Sequence, residues 1–266
     1  MLKSNNCNIN TKNGVTYITF PIFEKEGLNH LFSTRIGGVS TGRYSEMNLS
    51  YSNGDDKNAV DENFRRISEV MGVSPDSIIR THQTHTVNVI SVGKNTRIPL
   101  CDIDGIMTDE KGVTLCSTFA DCVPLMFYDP LKEVIATSHS GWKGTVGEIG
   151  RITVEKMTAE YGCDPKNILA VIGPAICKNC YEVDERVAEK VKAIKYIDPK
   201  KVMDEKPLGK YMLDLKAVCE QTLYFAGILP ENLLVSDICT ACNSEYLHSH
   251  RATGGERGNL CAFLAL

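Results

Sequence analysis

The sequence predicts an α+β fold: one domain over residues 1–266 in which mixed β-sheets are layered with flanking helices. Three observations carry that expectation. Short β-rich runs and helical runs are interspersed without strict strand–helix alternation, which argues against a Rossmann or barrel fold. No linker, repeat or low-complexity tract divides the chain. With 42% hydrophobic and 23% charged side chains, 266 residues suffice to bury a full core.

Strands are expected first at VTYITF (15–20) and HLFSTR (30–35), the second followed by the turn pair Gly37-Gly38. Val60, Phe64, Ile67 and Met71 then recur at helical spacing, and Gly72 with Pro75 supplies a stop, so a helix is expected over 56–71. TVNVISV (86–92), VTLCST (113–118), VPLMFYD (123–129) and EVIATSH (133–139) read as strands, the last two joined by a turn at Pro130. A helix over 145–161 ends at Gly162 and Pro165. NILAVIG (167–173) is an expected buried strand, 184–194 and 214–225 are expected helices, and LLVSD and CAFLAL are expected strands.

Lys plus Arg number 29 against 33 Asp plus Glu, and no run of five like charges occurs, so nothing favours a nucleic-acid partner. No stretch approaches the roughly 20 apolar residues of a membrane span, and a soluble, cytoplasmic protein is expected. Eleven cysteines are then thiols in a reducing compartment, many of them small buried hydrophobes.

Three side chains stand at strand ends: His85 before TVNVISV, Cys122 before VPLMFYD, and His139 at the end of EVIATSH. A hairpin of the strands 123–129 and 133–139 brings its outer ends together and makes Cys122 and His139 spatial neighbours. With His85 from a loop, they form a His2Cys donor set, which suits zinc with one position left for water or substrate. The same Cys122–His139 pair also fits a cysteine nucleophile and its base, an alternative the sequence leaves open. Cys177/Cys180 and Cys239/Cys242 are Cys-x-x-Cys pairs, but the 59 positions from Cys180 to Cys239 are too many for a zinc-ribbon loop, which argues against a shared structural metal. Glycine-rich loops at 33–48, 139–145 and 250–259 are candidate anion sites, with Arg35 and Lys143 on loops that can join the metal site.

The motifs FSTRIGGVS, NLS, HQTH, DGIMTD, ADCVPLMFYDP, HSGWKGT, GPAICKNCYEV and DICT, with SHR and RGN near the end, occur in order. In them the chain resembles the YfiH/YlmD family, also called the polyphenol oxidase or laccase-domain family, over nearly its whole length. The resemblance implies an α/β/β/α layering and zinc, with copper as the alternative, at His85, Cys122 and His139. It implies phosphorolysis of purine nucleosides (adenosine, inosine, methylthioadenosine) by inorganic phosphate, together with adenosine deamination. A cysteine hydrolase or a copper-dependent polyphenol oxidase is the alternative activity. Asn48 and Gln83, in two of these motifs, join Arg35 and Lys143 as candidate substrate and phosphate contacts. Asp121 is the candidate proton shuttle beside Cys122 and His139, since the H-x-E signature of zinc deaminases is absent. The family's C-terminal Gly-Arg is here Gly258-Asn259 with Arg257 displaced, and a shifted Arg does not reproduce a bidentate anion contact.

Overall fold

In the strand Val123–Asp129, Leu125 and Phe127 fall on one face and Met126 and Tyr128 on the other, and all four are buried. A strand covered on both faces reads as a continuous apolar run, and this one lies at the centre of a stack of layers. The computed structural model describes residues 2–98 and 100–266. Its six-stranded sheet runs in the order Leu233–Val235, Leu169–Ile172, Val123–Asp129, Val134–Ser140, Gly105–Thr108, Val89–Ser91. The two edge strands pair in parallel and the inner ones antiparallel.

On the Leu125 and Phe127 side this sheet is covered by the helices Ile149–Tyr161, Glu185–Lys192 and Leu215–Phe225, through Val154, Met157, Val191 and Leu223 among others. On the other side Met126, Ile135 and Val171 pack against Phe32, Leu115 and Leu260 of a second sheet. That sheet has seven strands in the order Asn8–Lys12, Val15–Thr19, Asn29–Ser33, Leu260–Ala265, Thr114–Phe119, Ile78–His82, Leu100–Cys101. Its outer face, with Leu31, Cys261 and Phe263, is closed by Val60, Phe64 and Ile67 of the helix Lys57–Met71. The layers are therefore helix, sheet, sheet, helix, the mixed α+β architecture expected from the sequence. A small third sheet (Glu182–Asp184, Lys210–Leu213, Met203–Lys206) flanks them. Among the described residues no helix is long and apolar enough to cross a membrane.

Two expected elements differ for local reasons. The helix expected over 145–161 is two helices, Trp142–Val146 and Ile149–Tyr161, broken at Glu148, whose φ is +60°. The strand expected over 86–92 shrinks to Val89–Ser91, because the backbone N–H of Thr86 donates to the Asp104 carboxylate (2.8 Å) instead of to a neighbouring strand. The strands Asn8–Lys12, Ile78–His82 and Gly105–Thr108 and the small third sheet were not among the expected elements.

Phe127 is fully buried between the six-stranded sheet and its helices. Replacing it by alanine removes the ring and leaves a cavity, so Phe127→Ala should cost about 3–5 kcal/mol. Denaturant titration should show a lower midpoint with an unchanged slope.

Candidate metal centre and its cleft

The register of the central hairpin places His139 opposite Pro124 and Ser140 opposite Val123, so Cys122, one residue before its strand, lies beside His139. His85 arrives from the loop after Ile78–His82 with φ +66°. Its Nε2 lies 3.8 Å from Cys122 Sγ, and its ring meets His139 edge to face with centroids 4.8 Å apart. The three donor atoms all lie within 4.8 Å of one another. Tetrahedral donors at zinc–ligand lengths of roughly 2.0–2.3 Å stand about 3.3–3.8 Å apart, so two imidazoles and one thiolate in this arrangement fit a single metal ion with small adjustments.

Asp104 organises the trio. It is fully buried, and its Oδ1 accepts from His139 Nδ1 (2.8 Å) and from the backbone N–H of His85 (3.1 Å). Its Oδ2 accepts from the N–H groups of Thr84 and Thr86 and from the Thr86 hydroxyl. Burial works to raise this carboxyl, but the hydrogen bonds from His139 and Thr86 win and hold it down at about 2. An ionised carboxylate only accepts, so His139 Nδ1 carries the proton and Nε2 is left for a metal.

Gly141 supplies the room. A Cβ there would stand 2.6 Å from His85 Cδ2 and 3.0 Å from Cys122 Sγ, so only glycine lets the donors approach. In the metal-free chain burial opposes charge on both Cys122 and His139. Their mutual attraction outweighs it, lowering the thiol to about 6 and raising the imidazole to about 9.

The trio lines a cleft of about 680 Å³, enough for a nucleoside-sized ligand. Gln83 lines it too, locked by accepting from the Thr118 N–H (2.7 Å) and donating to the Thr118 carbonyl (2.9 Å). The other anticipated residues lie elsewhere. Arg35 donates to the carbonyls of Ser45 (2.6 Å) and Ser244 (2.9 Å) and is absent from the cleft wall. Asn48 is buried and bonded to Asp55 (2.8 Å) and the N–H of Asn259 (2.9 Å). Lys143 is exposed beside the Trp142 ring. Both carboxylate oxygens of Asp121 are engaged, by the Thr240 hydroxyl (2.6 Å) and the Arg251 N–H (2.6 Å), and Asp121 does not line the cleft. Arg35, Asn48 and Asp121 are thus occupied by hydrogen bonds within the surrounding loops, which glycine-rich composition alone does not disclose.

The cleft's cations are instead Arg80 and Arg257. Arg80 lies over the Tyr51 ring, 4.3 Å from its centroid. Arg257 is partly buried, and its Nε is buried with no hydrogen-bond partner among the described residues. Arg257 is displaced by two positions from the family pattern, yet it is part of the cleft wall. The sequence signal for Asp104 is its place at the start of DGIMTD.

A four-layer α+β protein with a three-donor cluster that could hold a metal beside a nucleoside-sized cleft is the class that fold and site define. The chain belongs to the family described as multi-copper polyphenol oxidoreductase laccase, which matches residues 29–266. It is 36% identical to the purine nucleoside phosphorylase YlmD of Bacillus subtilis over 88% of this chain and 87% of that one. It is 32% identical to an adenosine deaminase, RL5, from an unknown prokaryotic organism, over 85% of this chain and 90% of that one. The crystal structure of the hypothetical protein YfiH of Bacillus licheniformis superimposes with a TM-score of 0.92 at 29% identity, covering 97% of this chain and 98% of that one.

Two outcomes are expected. Asp104→Asn should weaken metal affinity about 10–100-fold in a chelator competition, because the ring it orients loses its anchor. Between the Cys122 value of about 6 and the His139 value of about 9, binding displaces the His139 proton. Apparent affinity should therefore rise about tenfold per pH unit across that window and level off above it.

Proposed function

We propose that the protein is a zinc-dependent purine nucleoside phosphorylase that also deaminates adenosine. Its substrates are adenosine, inosine or methylthioadenosine with inorganic phosphate, and its products are the free base and the ribose 1-phosphate. The observation that carries this proposal is Arg257: a guanidinium with a buried, unpartnered Nε in the same cleft wall as His85, Cys122 and His139. A buried donor without a partner is unusual in a folded protein and is satisfied by an anion.

In phosphorolysis the C1′–N9 bond breaks while a phosphate oxygen bonds to C1′, and the base leaves with the electron pair and takes up a proton. Positive charge develops on the sugar, so holding the phosphate dianion against that carbon lowers the barrier. Arg257 holds the phosphate by this assignment, with Arg80 adding positive charge to the cleft wall. Phe119 and Tyr51 contribute to the lining of the same cleft. Zinc, when bound at the trio, supplies Lewis-acid polarisation and an acidified water, the chemistry deamination needs. Asp121, with both oxygens engaged, positions Cys122 rather than moving protons. The cytoplasmic setting is part of the same proposal, in keeping with eleven free cysteines.

The depressed Cys122 thiol favours one second reading, a cysteine hydrolase with His139 as its base. The third donor, His85 at 3.8 Å from the sulfur, favours the metal. A multi-copper oxidase asks for an electron path and more ligands than two imidazoles and one thiolate.

Product analysis decides. Adenosine and inosine incubated with phosphate should yield adenine and hypoxanthine with ribose 1-phosphate, and base release should stop when phosphate is omitted. Chelation should remove metal and turnover together. Activity that survives metal removal but dies on alkylation of Cys122 would establish the hydrolase instead. Arg257→Ala should lower phosphate-dependent kcat/KM about 10–100-fold, the size of a lost charge-assisted hydrogen bond.

A further inference from the structure

The strands Leu169–Ile172 and Leu233–Val235 pair in parallel at the edge of the six-stranded sheet. Their extensions meet again, shifted by one residue from that pairing, at a parallel bridge between Ala175 and Cys239 and a hydrogen bond from Thr240 N–H to the Ala175 carbonyl (3.2 Å). Each then turns through a Cys-x-x-Cys segment, so the two segments meet despite the helices and the small sheet that lie between them in the chain.

Cys177, Cys180, Cys239 and Cys242 consequently present four sulfurs, all within 4.8 Å of one another. Cys242 Sγ lies 3.4 Å from Cys180 Sγ and 4.0 Å from Cys177 Sγ. A tetrahedron of thiolates at zinc–sulfur lengths of about 2.3 Å has edges of about 3.8 Å, close to these separations. Backbone N–H groups of Cys177 (3.2 Å) and Cys242 (3.4 Å) converge on Cys239 Sγ, a donor pattern that suits a thiolate. The Arg251 guanidinium donates to the carbonyls of Cys180 and Glu182, placing positive charge beside a cluster that would carry net negative charge with a divalent ion.

We infer that Cys177, Cys180, Cys239 and Cys242 form a second metal site, a structural four-thiolate zinc centre distinct from the trio at His85, Cys122 and His139. The donors are all soft and the ligand shell is complete, so the ion has no position for substrate and works as a staple. Binding releases the thiol protons to solvent and changes no oxidation state. The staple fixes the two turns that hold Asp121: Ile176 N–H donates to the Asp121 carbonyl (3.0 Å) and the Thr240 hydroxyl to its carboxylate (2.6 Å).

The test is metal content per chain on full-length protein purified without chelator, with the intact mass measured under non-reducing conditions. Wild type should hold about two zinc ions, and His85→Ala and Cys180→Ala/Cys242→Ala about one each. Cadmium-113 resonance of the cadmium-loaded wild type, which needs no variant to fold, should give two signals, one of them typical of all-sulfur coordination. The inference is overturned by a zinc content that Cys180→Ala/Cys242→Ala does not lower, by a cadmium spectrum with no signal of all-sulfur character, or by an intact mass two hydrogens lighter that reverts in Cys180→Ala/Cys242→Ala, which marks a disulfide in the cluster. Loss of the phosphorylase activity would leave this count untouched, so the two proposals fail separately.

Discussion

The buried carboxylate of Asp104 is the constraint on which the candidate metal centre depends. A charge with no exposure to water is costly unless hydrogen bonds replace its hydration, and Asp104 obtains them from a ring N–H, three backbone amides and a hydroxyl. Those donors belong to His139 on one strand and to the loop that carries His85. One compensated charge thereby fixes two ligands from separate parts of the chain, and it also costs the 86–92 segment part of its strand.

Layering explains why the site sits where it does. The central hairpin is buried on both faces, so neither its register nor its position between the helices and the second sheet can slip without turning apolar side chains outward. Chemistry is then possible only where strands end and polar groups can be exposed, and Cys122 and His139 occupy such an end. Gly141 follows at once, and its missing side chain is what lets the third donor close in.

The trio was legible in the sequence because it depends on local geometry: a two-strand hairpin with a short turn makes ends meet whatever the rest of the fold does. The helix Lys57–Met71 was legible for a similar reason, its apolar spacing and stop residues lying within one stretch of chain. The four-cysteine cluster was not, since spacing rules assume that paired knuckles share one short loop, whereas here a parallel strand pairing joins turns separated by helices and the small sheet. Anion contacts were the least legible. Arg35 and Arg257 both sit near glycines, and only tertiary hydrogen bonding separates the guanidinium satisfied by loop carbonyls from the one left partly unpaired in the cleft.

Asp121 links the two cysteine-bearing sites. Its φ of +84° is a strained conformation for a residue with a side chain, costing about 1–3 kcal/mol. It persists because hydrogen bonds from Ile176, Thr240 and Arg251 offset that cost. Ile176 and Thr240 are the chain neighbours of Cys177 and Cys239, so whatever holds the four sulfurs together also holds the grip on Asp121. Cys122 is the next residue, and the direction of its sulfur follows from the backbone that Asp121 sets. Rigidity at the cluster is thus passed to the trio through one strained residue, with no need for the two groups of donors to touch.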